Sequence, residues 1–138
     1  MEYKFYVKSS RIDKNKYNSP SIVWEEFKNL ANIDQETFWI LGLNYAHKAI
    51  LKDCLYKGTT GQCEADPKLI FKRLLVAGCS SFIVIHNHPT GDQTPSEADN
   101  DITDRIRKIS NVVGIELLDH VIIGEAYFYS YKQAGTLN

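Results

Sequence analysis

His86 and His88 stand one residue apart at the end of an apolar run, Phe82-Ile83-Val84-Ile85, and are followed by Pro89, Gly91, Ser96 and Asp99. Side chains of a strand alternate between faces, so His86 and His88 project the same way and form a paired imidazole donor. Ser96 and Asp99 lie three apart, on one face of the first turns of a helix. Asp99 shares that face with Ile102 and Ile106, which directs its carboxylate inward. Two imidazoles and one carboxylate make a three-ligand set suited to Zn2+. Such a set leaves the fourth tetrahedral position to water, as catalytic rather than structural zinc sites do. Zinc lowers the pKa of its water from about 15.7 to about 7, which makes hydroxide available at neutral pH. Each residue also has a plainer reading. A lone His-x-His is common, an Asp near a helix start complements the dipole, and Ser suits a first turn. Together at a strand–loop–helix junction, they favour a metal site.

The elements that must position these residues follow from local pattern. Ser81 to Ile85 reads as the strand that delivers the histidines. Thr94-Pro95-Ser96-Glu97 reads as a helix start, with Thr94 at the N-cap, Pro95 at N1 and Glu97 completing a capping box. Ile102, Ile106, Ile109 and Val113 give that helix one apolar face, and Gly114 stops it. Upstream, Ser19-Pro20 starts a helix that carries Val23, Phe27 and Leu30 and ends near Asn32. Thr37 to Leu43 is nearly continuously apolar, as a central strand is. Residues 44–48 read as a hairpin connection to an antiparallel strand over Ala49 to Tyr56, broken at Gly58. Asp66-Pro67 opens a helix with Leu69, Ile70, Phe71, Leu74 and Leu75, which Gly78 ends. Downstream of Gly114, three short strands are expected: Ile115 to Leu118, Val121 to Ile123 and Ala126 to Tyr131. Turns are expected at Asp119-His120 and Gly124-Glu125. Helices and strands interleave, so the class is α/β or α+β with a mixed sheet.

The totals limit the alternatives. A length of 138 residues suits one domain with a real core, and a formal net charge of −1 gives no general attraction to nucleic acid or anionic membrane. No apolar run approaches the ~18–20 residues that span a bilayer, and the N-terminus lacks a signal-peptide core. Cys54, Cys63 and Cys79 are an odd number without CxxC spacing, which suggests free thiols in a cytoplasmic protein. Residues 1–18 read as an N-terminal arm, with Tyr3, Phe5 and Val7 as a short edge strand and Lys8, Arg11, Lys14 and Lys16 as a solvated basic segment. Residues 19–138 read as the domain.

The pattern H-x-H-x7-S-x2-D resembles the signature of the JAMM metalloproteases, whose domain is also called MPN or JAB. The closer resemblance is to the bacterial RadC-like branch. It is carried by Asp66-Pro67-Lys68-Leu69-Ile70-Phe71, Ile85-His86-Asn87-His88-Pro89, Gly91-Asp92, Pro95-Ser96-Glu97-Ala98-Asp99 and Leu117-Leu118-Asp119-His120-Val121-Ile122-Ile123. It extends from about Pro20 to Gly135. The resemblance implies a cytidine-deaminase-like α/β fold, with zinc held by His86, His88 and Asp99. It also implies an oxyanion donor in Ser96 and hydrolysis of a peptide or isopeptide bond by metal-activated water. The family uses an upstream Glu as general base. Five residues before Gly58, where that residue is sought, stands Asp53, one methylene shorter, and Glu64 on the following loop is the substitute.

Other residues attract attention for less. Asp119-His120 could orient a catalytic group, but a structural, hydrogen-bonded His120 is the better reading. His47 is expected to be exposed in its hairpin, the three thiols inert, and Tyr127, Phe128, Tyr129 and Tyr131 part of the core or a strand edge. The functional expectation is a zinc-dependent peptidase or isopeptidase with a peptide or protein substrate. Its alternatives are a metal-binding interaction module without turnover and a DNA-repair-associated protein. A homodimer paired along a strand edge is compatible with the sequence.

Overall fold

In the computed structural model, which describes residues 15–58 and 65–137, a mixed five-stranded sheet carries helices on both faces. Helix α1 (Pro20–Phe27) runs on into a 3-10 turn at Lys28–Asn32. Strands β1 (Glu36–Leu43) and β2 (Ala49–Gly58) follow, then α2 (Pro67–Ala77), β3 (Ser81–Asn87), α3 (Glu97–Val113), β4 (Glu116–Ile123) and β5 (Phe128–Ser130). The strand order is β2-β1-β3-β4-β5. Only the β3–β4 pair is parallel, because the α3 crossover joins it, and the other pairs are antiparallel.

Two apolar clusters hold the layers. Phe38, Ile40, Ile70, Leu74, Phe82, Val84 and Ile106 pack between the sheet and the α2/α3 side. On the opposite face, Val23 and Phe27 of α1 cover Leu41, Leu43, Ile83, Ile85, Val121 and Ile123. Strands β1 and β3 are buried on both faces, which explains their nearly unbroken apolar runs. Helix α2 is bounded as the sequence predicts. Asp66 accepts from the Lys68 N–H at its start, and Gly78 ends it in the left-handed region at φ 74°.

Two sequence expectations are corrected. Helix α3 begins two residues later than the Thr94–Glu97 pattern suggests. Ser96 is the N-cap, and the capping box pairs it with Asp99 rather than pairing Thr94 with Glu97. Asp99 wins because its short carboxylate accepts the Ser96 N–H at 2.8 Å while Ser96 Oγ accepts the Asp99 N–H at 3.1 Å. The turn expected at Asp119-His120 does not exist. Strand β4 runs through it, with Asp119 opposite Ile83 and His120 opposite Val84. Both polar residues are buried and hydrogen-bonded there, so they need no turn to reach water. The strand over Tyr3, Phe5 and Val7, the basic residues Lys8, Arg11 and Lys14, and also Cys63 and Glu64 lie outside the described residues. Among the described residues, no helix is long and apolar enough to cross a membrane.

Candidate metal centre

The site forms where β1 begins and β3 ends. Phe38 of β1 pairs with His86 of β3, so these two residues and Glu36, two positions before Phe38, face the α2/α3 side together. His88, just past the end of β3, keeps the same direction. The N-terminus of α3 arrives on that side and brings Ser96 and Asp99. The loop between them is held by Asp92, whose carboxylate accepts the Thr94 N–H at 2.9 Å, and by Gly91 at φ 85°. An added Cβ at Gly91 would meet Glu125 at 3.0 Å.

The donor atoms converge. His86 Nε2 lies 3.0 Å from His88 Nε2 and 3.0 Å from Asp99 Oδ1, and His88 Nε2 lies 3.0 Å from Asp99 Oδ2. Ligand atoms of Glu36, His86 and His88 also lie within 4.8 Å of one another. Glu36 Oε2 is buried and has no hydrogen-bond partner among the described residues. Two imidazoles and two carboxylates thus meet in a space from which water is largely excluded. Three buried groups and the partly exposed His88, with one orphaned carboxylate oxygen, fit a divalent cation of borderline softness.

The electrostatics follow the same geometry. Burial raises the Asp99 carboxyl, but the contacts with His86, His88 and the Ser96 N–H more than offset it and hold the group well below the usual carboxylate range. Burial opposes charge on His88, yet the Asp99 contact and the Asp92 carbonyl, 2.7 Å from Nδ1, leave the imidazole above its ordinary value. Glu36 is shifted up by burial, with the nearby histidines acting the other way. A cavity of about 300 Å³ opens beside these groups, and Glu36, Phe38, His88, Ser96 and Asp99 are among its walls.

The structure brings together His86, His88, Ser96 and Asp99. It does not bring Asp53 to them. Asp53 lies on the edge strand β2 opposite Ile40, and its carboxylate pairs with Arg73 of α2. The acid beside the histidines is Glu36, which the sequence reading passed over. Its signal was an acid at the head of a strand whose every second residue, Phe38 and Ile40, belongs to the core. That alternation buries Glu36 as well, to 4% exposure. His120, read as structural, is fully buried against His86, whereas Asp119 accepts from Ser130 Oγ, the Lys132 N–H and the His120 N–H instead of orienting the His120 ring. Cys79 is a core thiol that burial pushes up to about 12, in keeping with an inert role.

A family model described as the RadC-like JAB domain matches residues 17–136. A UPF0758 protein of Halalkalibacterium halodurans is 40% identical over 115 residues, covering 83% of this chain and 48% of its own length. The UPF0758 protein YsxA of Bacillus subtilis is 38% identical over 117 residues, 85% of this chain and 49% of its own. A UPF0758 protein of Photorhabdus laumondii is 34% identical over 133 residues, 96% of this chain and 58% of its own. The chain spans about half the length of the curated relatives it matches. The family match covers every element of the sheet and all three helices, so the chain belongs to the RadC-like JAB domain family.

Proposed function

We propose that this domain is a zinc-dependent hydrolase of peptide or isopeptide bonds, in which His86, His88 and Asp99 hold the metal and Glu36 is the general base. The observation that carries this reading is the buried Glu36 carboxylate, with one oxygen lacking a partner among the described residues and with a ligand oxygen within 4.8 Å of the His86 and His88 ligand atoms. A bound Zn2+ would supply Lewis acidity and a water of lowered pKa.

The protein's own groups would do the rest. Glu36, its carboxyl raised by burial, would take a proton from the attacking water and return it to the leaving amine. Asp99, anchored by the Ser96 N–H, keeps its negative charge among the imidazoles. Ser96 Oγ already accepts the Asp99 N–H, so its own O–H hydrogen remains to be donated to an oxyanion in the cavity. Phe38 and Ile102 give the cavity apolar walls that limit water around the reacting bond.

The test combines metal analysis with hydrolysis of a peptide panel and of isopeptide-linked ubiquitin-like fusions. Wild type, Glu36→Gln and Asp53→Asn should all carry stoichiometric zinc. Glu36→Gln should lose turnover by about 10²–10⁴, and Asp53→Asn should keep it. Zinc-loaded wild type that cleaves no member of the panel would favour a metal-stabilised interaction module. A steep salt-dependent affinity for DNA would favour a nucleic-acid role.

A further inference from the structure

Behind the ligand cluster runs a line of buried hydrogen bonds that the proposed chemistry does not use. His86 Nδ1 lies 2.7 Å from His120 Nε2, and His120 Nδ1 lies 2.5 Å from Thr103 Oγ1. Thr103 Oγ1 in turn lies 2.6 Å from the Asp99 backbone oxygen. Each of these bonds has one hydrogen, and their directions can be assigned from the far end. The Asp99 carbonyl has no hydrogen, so Thr103 donates to it. The hydroxyl's only hydrogen is then committed, so Thr103 Oγ1 must accept from His120 Nδ1–H. Complete burial disfavours a second proton on His120, which leaves its Nε2 as an acceptor. His86 Nδ1 must therefore carry a hydrogen, so Nε2 is the nitrogen available to a cation between His88 and Asp99.

The position of His120 is itself contrived by the strand. Between Phe82 and Ile83 the β3–β4 register slips by one, with Phe82 opposite Leu117 and Ile83 opposite Asp119. Leu118 is the extra residue. Leu117 belongs to the cluster on the α2/α3 side, and Leu118 packs with the cluster under α1. Simple alternation from Leu117 would send His120 to the α1 side, and the bulge returns it to the face that bears His86. Tyr131 then stacks on the His120 ring, with centroids 4.8 Å apart and planes 12° from parallel, and its hydroxyl donates to Asn100 Oδ1 at 2.7 Å. The ring is thus fixed in plane as well as in hydrogen bonding.

We propose that His120 and Thr103 are positioning residues that hold His86 in the one tautomer able to ligate a metal through Nε2. The proposal rests on the metal-centre reading above. Without the relay, His86 could carry its hydrogen on Nε2, where it would sit 3.0 Å from both His88 Nε2 and Asp99 Oδ1 and satisfy the carboxylate in place of a cation. Partners that fix a ligand histidine commonly contribute 10–100-fold to metal affinity.

The test uses two near-isosteric pairs in the full chain. Thr103→Val removes the hydroxyl, and Thr103→Ser keeps it. His120→Leu removes the acceptor for His86, and His120→Gln can restore one through its amide oxygen. Zinc affinity measured by competition with a chromophoric chelator should fall about 10–100-fold in Thr103→Val and His120→Leu. It should stay within a few-fold of wild type in Thr103→Ser, with His120→Gln in between. Independently, nitrogen-detected NMR of the metal-free protein should show His86 protonated at Nδ1 in wild type and at both nitrogens in exchange in Thr103→Val. A merely structural role would shift melting temperature without moving the tautomer. Wild-type affinity in folded Thr103→Val, or His86 protonated at Nε2 and not at Nδ1 in wild type, would overturn the proposal. If wild type takes up no zinc, the metal reading fails, and the tautomer measurement still decides the relay.

Discussion

Asn87 Oδ1 accepts both the backbone N–H of Thr37, at 2.8 Å, and its hydroxyl, at 2.6 Å. The same amide donates through Nδ2 to the Gln35 carbonyl at 2.8 Å. The residue between His86 and His88 therefore clamps the backbone on either side of Glu36. Its side chain lies on the opposite face of the sheet from theirs, so it ties the acid to the histidines without entering the site. Asn87→Ala should leave buried donors of Thr37 unpaired and lower unfolding stability by at least ~1–3 kcal/mol. Chemical denaturation measures that loss. Zinc content should be unchanged and any turnover reduced, because the ligands remain and Glu36 loses its anchor.

Ser96 has two separable duties. As N-cap it accepts the Asp99 N–H, so Ser96→Ala should cost about 0.5–2 kcal/mol in thermal or urea unfolding. The backbone bond from the Ser96 N–H to Asp99 Oδ2 survives the substitution, so zinc should be retained. Turnover should drop by about 10²–10³. A variant that lost its zinc would speak against an oxyanion role and for a purely architectural one.

Asp53 predicts a small effect. Its partner Arg73 is about one-third exposed, at 32%, and such pairs contribute ~0–1 kcal/mol. Asp53→Asn should therefore shift the urea midpoint little and leave catalysis at wild-type level. A large loss of activity would return Asp53 to candidacy as the base.

Asp119 gives a pH signature. Burial raises its carboxyl above the ordinary value, against the opposing hydrogen bonds from Ser130, Lys132 and His120. The folded state then holds the proton to higher pH than the unfolded state does. Stability contributed by the protonated form is present below the unfolded pKa and is lost as pH rises through the folded one. Asp119→Asn lacks this ionisation. Its melting temperature relative to wild type should climb across the weakly acidic range and level off above it. A difference that stays flat would show that Asp119 keeps an ordinary pKa.

Gly42 sits where a side chain has no room. A Cβ there would lie 2.3 Å from Cys79 Sγ, 3.1 Å from Leu51 Cβ and 3.3 Å from Leu74 Cδ2. Gly42→Ala should destabilise by about 1–3 kcal/mol in denaturant titration. Adding Cys79→Ala should recover part of that loss, a coupling that a double-mutant cycle reads directly.

Much of this was legible in local pattern. Gly78 and Gly114, Ser19-Pro20 and Asp66-Pro67 mark real helix ends because caps and left-handed residues are short-range events. The convergence of His86, His88, Ser96 and Asp99 was legible because they lie on one strand end and the next helix start. Glu36 was not. It is brought to His86 by antiparallel pairing of β1 with β3, a contact fifty residues long in sequence that no local spacing encodes. Asp119-His120 misled for the converse reason. A polar pair inside an apolar run signals a turn, unless tertiary partners such as Ser130 and Thr103 satisfy it in a strand. Thr94 and Glu97 offered a complete capping box, and the competing Ser96–Asp99 box formed instead because Asp99 is also drawn to the two histidines.

The extra residue Leu118 lengthens β4 without changing its phase against β3. The bulge absorbs that residue by turning Leu118 and Asp119 to the same side of the sheet, so the next position, His120, still faces His86. Deleting Leu118 would straighten the strand into a regular ladder, with Asp119 still opposite Ile83 and His120 still opposite Val84. The faces of these two polar side chains, and not the number of residues before them, are therefore what the centre requires of β4. Chains that keep the His-x-His and Asp ligands but lack the extra residue should fold on a similar sheet and keep an imidazole behind the first histidine.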